Sequence, residues 1–149
     1  MSTQARAVIT DSIFAFNSAA GVSVDAVANA VTYMHVDRSV LADNIGDGLA
    51  HNGVNLSFVN ILVMRSAIHR NLGSEVDARG PGYVVVSENG ILSNGVGIRG
   101  ENGAVYANAN TVVSQNVDFV QLGAASFYSY GNNAGPFSSL GAINSTTGN

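Results

Sequence analysis

Charged residues in alternation are the first candidates for chemistry, because Asp77 and Arg79 stand one residue apart, as do Arg99 and Glu101. Side chains so spaced on an extended chain point to the same side. On neighbouring strands the four would form one patch able to bind a saccharide, or to supply the two carboxyls about 5 to 9.5 Å apart that glycoside cleavage requires. The same charges also satisfy one another. Asp77 with Arg99 and Arg79 with Glu101 read equally as surface pairs, contributing about 0 to 1 kcal/mol each. On that second reading no residue is catalytic.

Metal chemistry finds little support. His35, His51 and His69 fall at different places in the pattern described below, and Asp43-Asn44-Ile45-Gly46-Asp47-Gly48 lacks the later ligands of a calcium loop. The latter reads as a turn opened by an Asp. With no cysteine in the chain, disulfide frameworks, Cys-rich zinc modules and thiol catalysis are excluded. No metal and no cofactor is implied.

Composition narrows the class further. Charged residues make up 11% of the 149-residue chain, against roughly 25% in ordinary domains, so solubility falls to Asn, Ser, Thr and Gly. All basic residues are Arg and the net charge is −4, which gives no electrostatic footprint for nucleic acid or anionic lipid. No stretch approaches the roughly 18 apolar residues of a membrane helix, and Met1 to Arg6 carry no apolar segment of a signal peptide. One domain is expected, rich in short strands because Val and Ile are frequent and seventeen Gly accompany only two Pro.

The elements that must position these residues come from a repeat. A Ser, Thr or Asn, an apolar residue two positions on and an Asn at position five recur in Ser12–Asn17, Ser39–Asn44, Ser66–Asn71, Asn89–Asn94 and Thr111–Asn116. Successive copies lie about 22 to 27 residues apart, and each is followed by two further apolar segments. Three strands per repeat predict an all-β, three-sided parallel β-helix of about five to six rungs over residues 1–133, with 134–149 as a polar tail. A β-sandwich would supply similar strands without repeating one motif in register.

Stacking predicts that Asn17, Asn44, Asn71, Asn94 and Asn116 form a hydrogen-bonded ladder. Two interior columns follow, Phe14, Leu41, Ile68, Ile91, Val113 and Val22, Leu49, Val76, Ile98, Val120. Outside, the alignment gives the columns Ser23, Ala50, Asp77, Arg99, Gln121 and Asp25, Asn52, Arg79, Glu101, Gly123. A further column, Asp11, Arg38, Arg65, Glu88, Asn110, predicts structural pairing of Asp11 with Arg38 and of Arg65 with Glu88.

The Ser-x-apolar-x-x-Asn spacing followed by Gly-apolar resembles the right-handed β-helix repeat regions of bacterial proteins related to pectate lyases and to NosD-like periplasmic proteins. The likeness covers roughly Ala7 to Asn133, and Ser129-Tyr130-Gly131-Asn132-Asn133 resembles a last rung. It implies a right-handed coil and favours a secreted or periplasmic location, but the superfold hosts lyases, hydrolases, adhesins and proteins without chemistry. Two functions are therefore expected. One is a non-catalytic structural or interaction module that self-associates through terminal rungs or outward apolar positions such as Val8, Leu62 and Val85. The other binds or cleaves a polysaccharide at Asp77, Arg79, Arg99 and Glu101.

Overall fold

The computed structural model describes residues 3–54, 56–93, 95–114, 116–136 and 138–146, and among these no helix occurs. The chain winds through three short strands per turn. The first turn is β1 (Thr3–Thr10), β2 (Ile13–Ala15) and β3 (Val22–Ala26), and the second is β4 (Ala30–Asp37), β5 (Val40–Ala42) and β6 (Leu49–Gly53). The third is β7 (Phe58–Met64), β8 (Ala67–His69) and β9 (Ser74–Ala78), and the fourth β10 (Gly82–Ser87), β11 (Gly90–Ser93) and β12 (Val96–Gly100). The fifth is β13 (Ala104–Asn108), β14 (Thr111–Ser114) and β15 (Val117–Gln121). A sixth turn runs from β16 (Ser126–Tyr130) through a bridge between Ala134 and Thr111 to β17 (Ser139–Leu140), and β18 (Ile143–Thr146) begins another. Residues 139–140 and 143–146, within the expected tail, are strands paired to the coil.

Every pairing is parallel and joins a strand to its equivalent one turn away. A seven-stranded sheet runs β1-β4-β7-β10-β13-β16-β18, a five-stranded sheet β2-β5-β8-β11-β14, and a six-stranded sheet β3-β6-β9-β12-β15-β17. This is the three-sided parallel β-helix that the repeat predicts. Parallel strands need a crossover between them, and here the other two sides of the coil supply it.

Because equivalent residues stack, the core is a set of columns. The five-stranded sheet contributes Phe14, Leu41, Ile68, Ile91 and Val112. Val22, Leu49, Val76, Ile98 and Phe119 come from the six-stranded sheet. Met34, Ile61, Val84, Val105, Phe127 and Ile143 come from the seven-stranded sheet. Each buried aliphatic side chain contributes about 1.5 to 3 kcal/mol of transfer free energy, so Ile68→Asp in mid-column would disrupt the fold.

Two of these columns differ from expectation at their fifth members. Thr111 pairs with Gly90, so the fifth copy of the motif begins at Asn110 and not at Thr111. Val112 is therefore interior and fully buried, whereas Val113 is 44% exposed. For the same reason Phe119 fills the second column, and Val120 follows Arg99 on the outer side.

Candidate functional site

Two corners of the coil are held by side-chain ladders. Between the five- and six-stranded sheets, the Asn44 Oδ1 accepts from the backbone N–H of Asn17 at 3.1 Å and from its Nδ2 at 2.8 Å. Asn71 Oδ1 does the same for Asn44, at 3.1 and 2.7 Å. The predicted ladder therefore exists for Asn17, Asn44 and Asn71. Asn94 lies outside the described residues. Asn116 is exposed and one residue out of register, so it is no member.

Acids from the following strand take over where the ladder stops. Glu75, fully buried, accepts from Asn71 N and Nδ2. Asp118, also fully buried, accepts from Ser114 N at 2.8 Å and from Ser138 N at 2.8 Å. In the first two turns, which have no acid there, Gly21 and Gly48 occupy the equivalent place, and a Cβ would run into the amides of Asn44 and Asn71.

Motif position one makes a second, longer ladder that the sequence analysis did not identify. From turn to turn, the N–H of Ser12 donates to Ser39 Oγ, that of Ser39 to Ser66 Oγ, and that of Ser66 to Asn89 Oδ1. Asn89 N then donates to Asn110 Oδ1, and Asn110 N to Asn133 Oδ1. The residue before each rung, Asp11, Arg38, Arg65, Glu88 and Ala109, is left-handed with φ of 45 to 59°. Asn110, aligned above with these, is thus a ladder residue. Asp11 pairs with Arg38 as expected, at 2.8 Å. Arg65 pairs instead with Asp37, at 2.8 Å, and Asp37 also takes Arg38. The Arg65 hydrogen bond above all holds the Asp37 carboxyl below its ordinary range.

The four charged candidates do come together on the outer side of the six-stranded sheet. Asp77 and Arg99 are register partners, though Gln121, expected to continue that column, is replaced by Val120. The bonding runs along strands more than across them. Arg79 Nε donates to Asp77 Oδ2 at 2.7 Å, and Arg99 Nη2 to Glu101 Oε2 at 2.8 Å, while Arg99 stands 3.8 Å from Asp77. Asp47 joins the group 3.8 Å from Arg79. Asp77 is fully buried beneath the two guanidiniums, and this burial raises its carboxyl above the ordinary value against the pull of Arg79. The cluster pairs its acids with its own arginines, although Asp77 Oδ1 and Arg99 Nε are left without a hydrogen-bond partner, and neither the groove over the seven-stranded sheet nor the pocket at Tyr130 and Ile143 includes its residues.

The outer side of the seven-stranded sheet is different. One column there is Arg6, Tyr33, Asn60, Tyr83, Ala104 and Ser126. The next is Val8, His35, Leu62, Val85, Tyr106 and Tyr128, so the outward apolar residues Val8, Leu62 and Val85 share a single line. Tyr106 and Tyr128 stack with ring centroids 5.1 Å apart, and Phe58 meets Tyr83 edge-on at 6.0 Å. Over β1, β4, β7 and β10 lies a groove of about 680 Å³, whose sole charged lining residue is Arg6.

Two polar atoms in that groove have no partner within the protein, Asn60 Oδ1 and His35 Nε2, although Asn60 is only 8% exposed. A buried acceptor without a donor costs about 1 to 3 kcal/mol. Such atoms also occur on His51, His69, Asp77 and Arg99, but only those of Asn60 and His35 belong to residues that line the groove. The other histidines stand apart, His51 in the interior of β6 and His69 on β8. Among the described residues no group of three or more His, Asp or Glu is arranged to hold a metal ion. No protein-family model matches the chain, and no curated protein or solved structure matches it either.

Proposed function

We propose that the protein is a non-catalytic interaction module whose working surface is the outer side of the seven-stranded sheet. The observation that carries this is the pair Asn60 Oδ1 and His35 Nε2, left without partners in a groove flanked by the exposed rings of Tyr33 and Tyr83. Apolar walls with a few convergent polar atoms are what a binding groove requires. The repeat's resemblance to β-helix proteins related to pectate lyases and NosD-like proteins supports the same reading, since that superfold works on an outer face. Asp77, Arg79, Arg99 and Glu101, in contrast, neutralise one another, which favours a structural role over acid–base chemistry.

A second copy of the chain is the alternative occupant, favoured by Val8, Leu62 and Val85 standing in one column. Benzyl alcohol, with one flat apolar face and one hydroxyl, is the probe for the surface itself. Its titration should shift amide resonances of β4, β7 and β10 in the NMR spectrum, and polysaccharides incubated with the protein should yield no new reducing ends. Sedimentation velocity across protein concentration tests the second copy, whose dimer would be lost in Leu62→Arg. A monomer in which the probe shifts β9 and β12 instead would overturn the assignment of the face.

A further inference from the structure

We infer that the groove takes a neutral β-linked saccharide chain lying along the axis of the coil, with sugar rings on Tyr33 and Tyr83 and a hydroxyl donating to Asn60 Oδ1. This rests on the reading that the outer side of the seven-stranded sheet is the working surface, and it names the ligand.

Geometry supplies the first reason. Tyr33, Asn60 and Tyr83 are successive register partners, so the two tyrosines stand on backbone positions two strand spacings apart, about 9.6 Å. That is close to the repeat of a disaccharide unit in an extended β-1,4-linked chain. A pyranose presents a flat C–H face that packs on an aromatic ring and an edge of hydroxyls that reach polar atoms beside it. Asn60 Oδ1 needs a donor, and Asn60 stands between Tyr33 and Tyr83 in the register.

Elimination supplies the second. A hydrocarbon or lipid chain would cover Asn60 Oδ1 and leave it unmet. An added peptide strand needs a free sheet edge, and β4, β7 and β10 are each paired on both sides. A polyanion meets only Arg6 in the groove, on a protein whose net charge is −4. Beyond Tyr83 the column continues with the small residues Ala104 and Ser126, so the path remains open toward later turns.

The test is a calorimetric titration with β-1,4-linked glucose oligomers from dimer to hexamer, alongside oligogalacturonate of matched length. Affinity should rise with length and then level off, and oligogalacturonate should not bind. Tyr33→Ala, Tyr83→Ala and Asn60→Leu should each weaken binding by about tenfold or more, while Arg70→Ala, at a different corner, leaves it within about twofold. Circular dichroism and thermal melts of each variant separate lost binding from lost fold. If benzyl alcohol still shifts β4, β7 and β10 but no neutral oligomer binds, the ligand class is wrong and the face stands. Binding of oligogalacturonate alone, or of glucose oligomers undiminished by Tyr83→Ala, would equally overturn the inference.

Discussion

The two laddered corners of this coil are built from similar side chains, yet one continues from each Ser or Asn to the next Ser or Asn through every turn, and in the other Asn71 passes its hydrogen bonds to Glu75. Between the seven- and five-stranded sheets the connection is two residues in the first five turns, 11–12, 38–39, 65–66, 88–89 and 109–110, and three in the sixth, 131–133. Its ladder passes from Ser12 to Asn133 without a gap. Between the five- and six-stranded sheets the connection shrinks from six residues at 16–21 and 43–48 to four at 70–73, and the strands that follow are closer still in sequence. The last rung described there is Asn71, where shortening begins, and buried Glu75 and Asp118 satisfy the backbone from the strand side. A side chain stacks from turn to turn while its backbone is presented in the same way, and a nearly constant loop length favours this.

That comparison breaks most visibly by insertion. One extra Gly between Arg65 and Ser66 would put Ser66 out of reach of both Ser39 N and Asn89 Oδ1 and displace every later strand. We expect a loss of about 5 kcal/mol, comparable to the whole stability of a marginal domain. The same insertion after Ile45, which is 62% exposed in the variable corner, should cost about 1 kcal/mol. Urea melts of the two variants read the difference. Equal losses would mean that both corners constrain the fold alike.

Single side chains sharpen the same point. Asn110 accepts from Asn89 N and Nδ2 and donates to Val86 O, all buried. Asn110→Ala orphans those groups and should cost about 4 kcal/mol. Asn116→Ala, exposed and outside both ladders, should stay within about 0.5 kcal/mol. A costly Asn116→Ala would restore the ladder as it reads from sequence.

Much of this architecture is legible in the sequence, because the Asn motif and the alternation of Val and Ile impose both a period and a strand pattern. The fifth repeat misleads for a physical reason. Aligning on position five follows the corner whose length varies, so Thr111 is taken for Asn110 and Val113 for Val112. The constant corner is harder to see because Ser12, Ser39 and Ser66 give way to Asn89 and Asn110, and the two residue types look unrelated until their oxygens accept the same N–H. Asp77, Arg79, Arg99 and Glu101 are correctly gathered from spacing alone. The groove is not, since Asn60 reads as an ordinary outward polar residue and its lack of a donor exists only in three dimensions.

The third corner, joining the six- to the seven-stranded sheet, extends the comparison. Among the described residues it has neither ladder, and next to it His51 is 1% exposed with neither ring nitrogen bonded. Gly53 leaves it room, since a Cβ there would come within 2.8 Å of Nε2. Burial lowers the imidazole from 6.5 to about 4, so it is neutral in the folded protein. Below pH 6.5 the unfolded chain binds a proton that the folded chain refuses, and stability present above that pH is lost as it falls toward 4. At about 1.4 kcal/mol per pH unit the loss reaches about 3 kcal/mol. His51→Leu should remove that slope. The raised carboxyl of Asp77 acts in the opposite sense in both proteins, so the difference between the two stability–pH curves isolates His51. Parallel curves would show that the ring is already solvated.

The smallest effect concerns the geometry that keeps the constant corner constant. Its left-handed residue is charged in four turns, where Asp11, Arg38, Arg65 and Glu88 lie outside the coil, but in the fifth it is Ala109 at φ 53°. A Cβ in this conformation costs about 1 to 2 kcal/mol, and glycine avoids that cost while losing somewhat more chain entropy on folding. Ala109→Gly should therefore stabilise by about 1 kcal/mol, raising the thermal midpoint by a few degrees, with the Ala109 N–H still donating to Asn132 Oδ1. The same change at Arg65 removes the ion pair with Asp37 along with the strain, so its gain should be smaller. If Ala109→Gly lowers the midpoint, the left-handed corner is held by contacts of the methyl group, and the two-residue link is not what sets the register there.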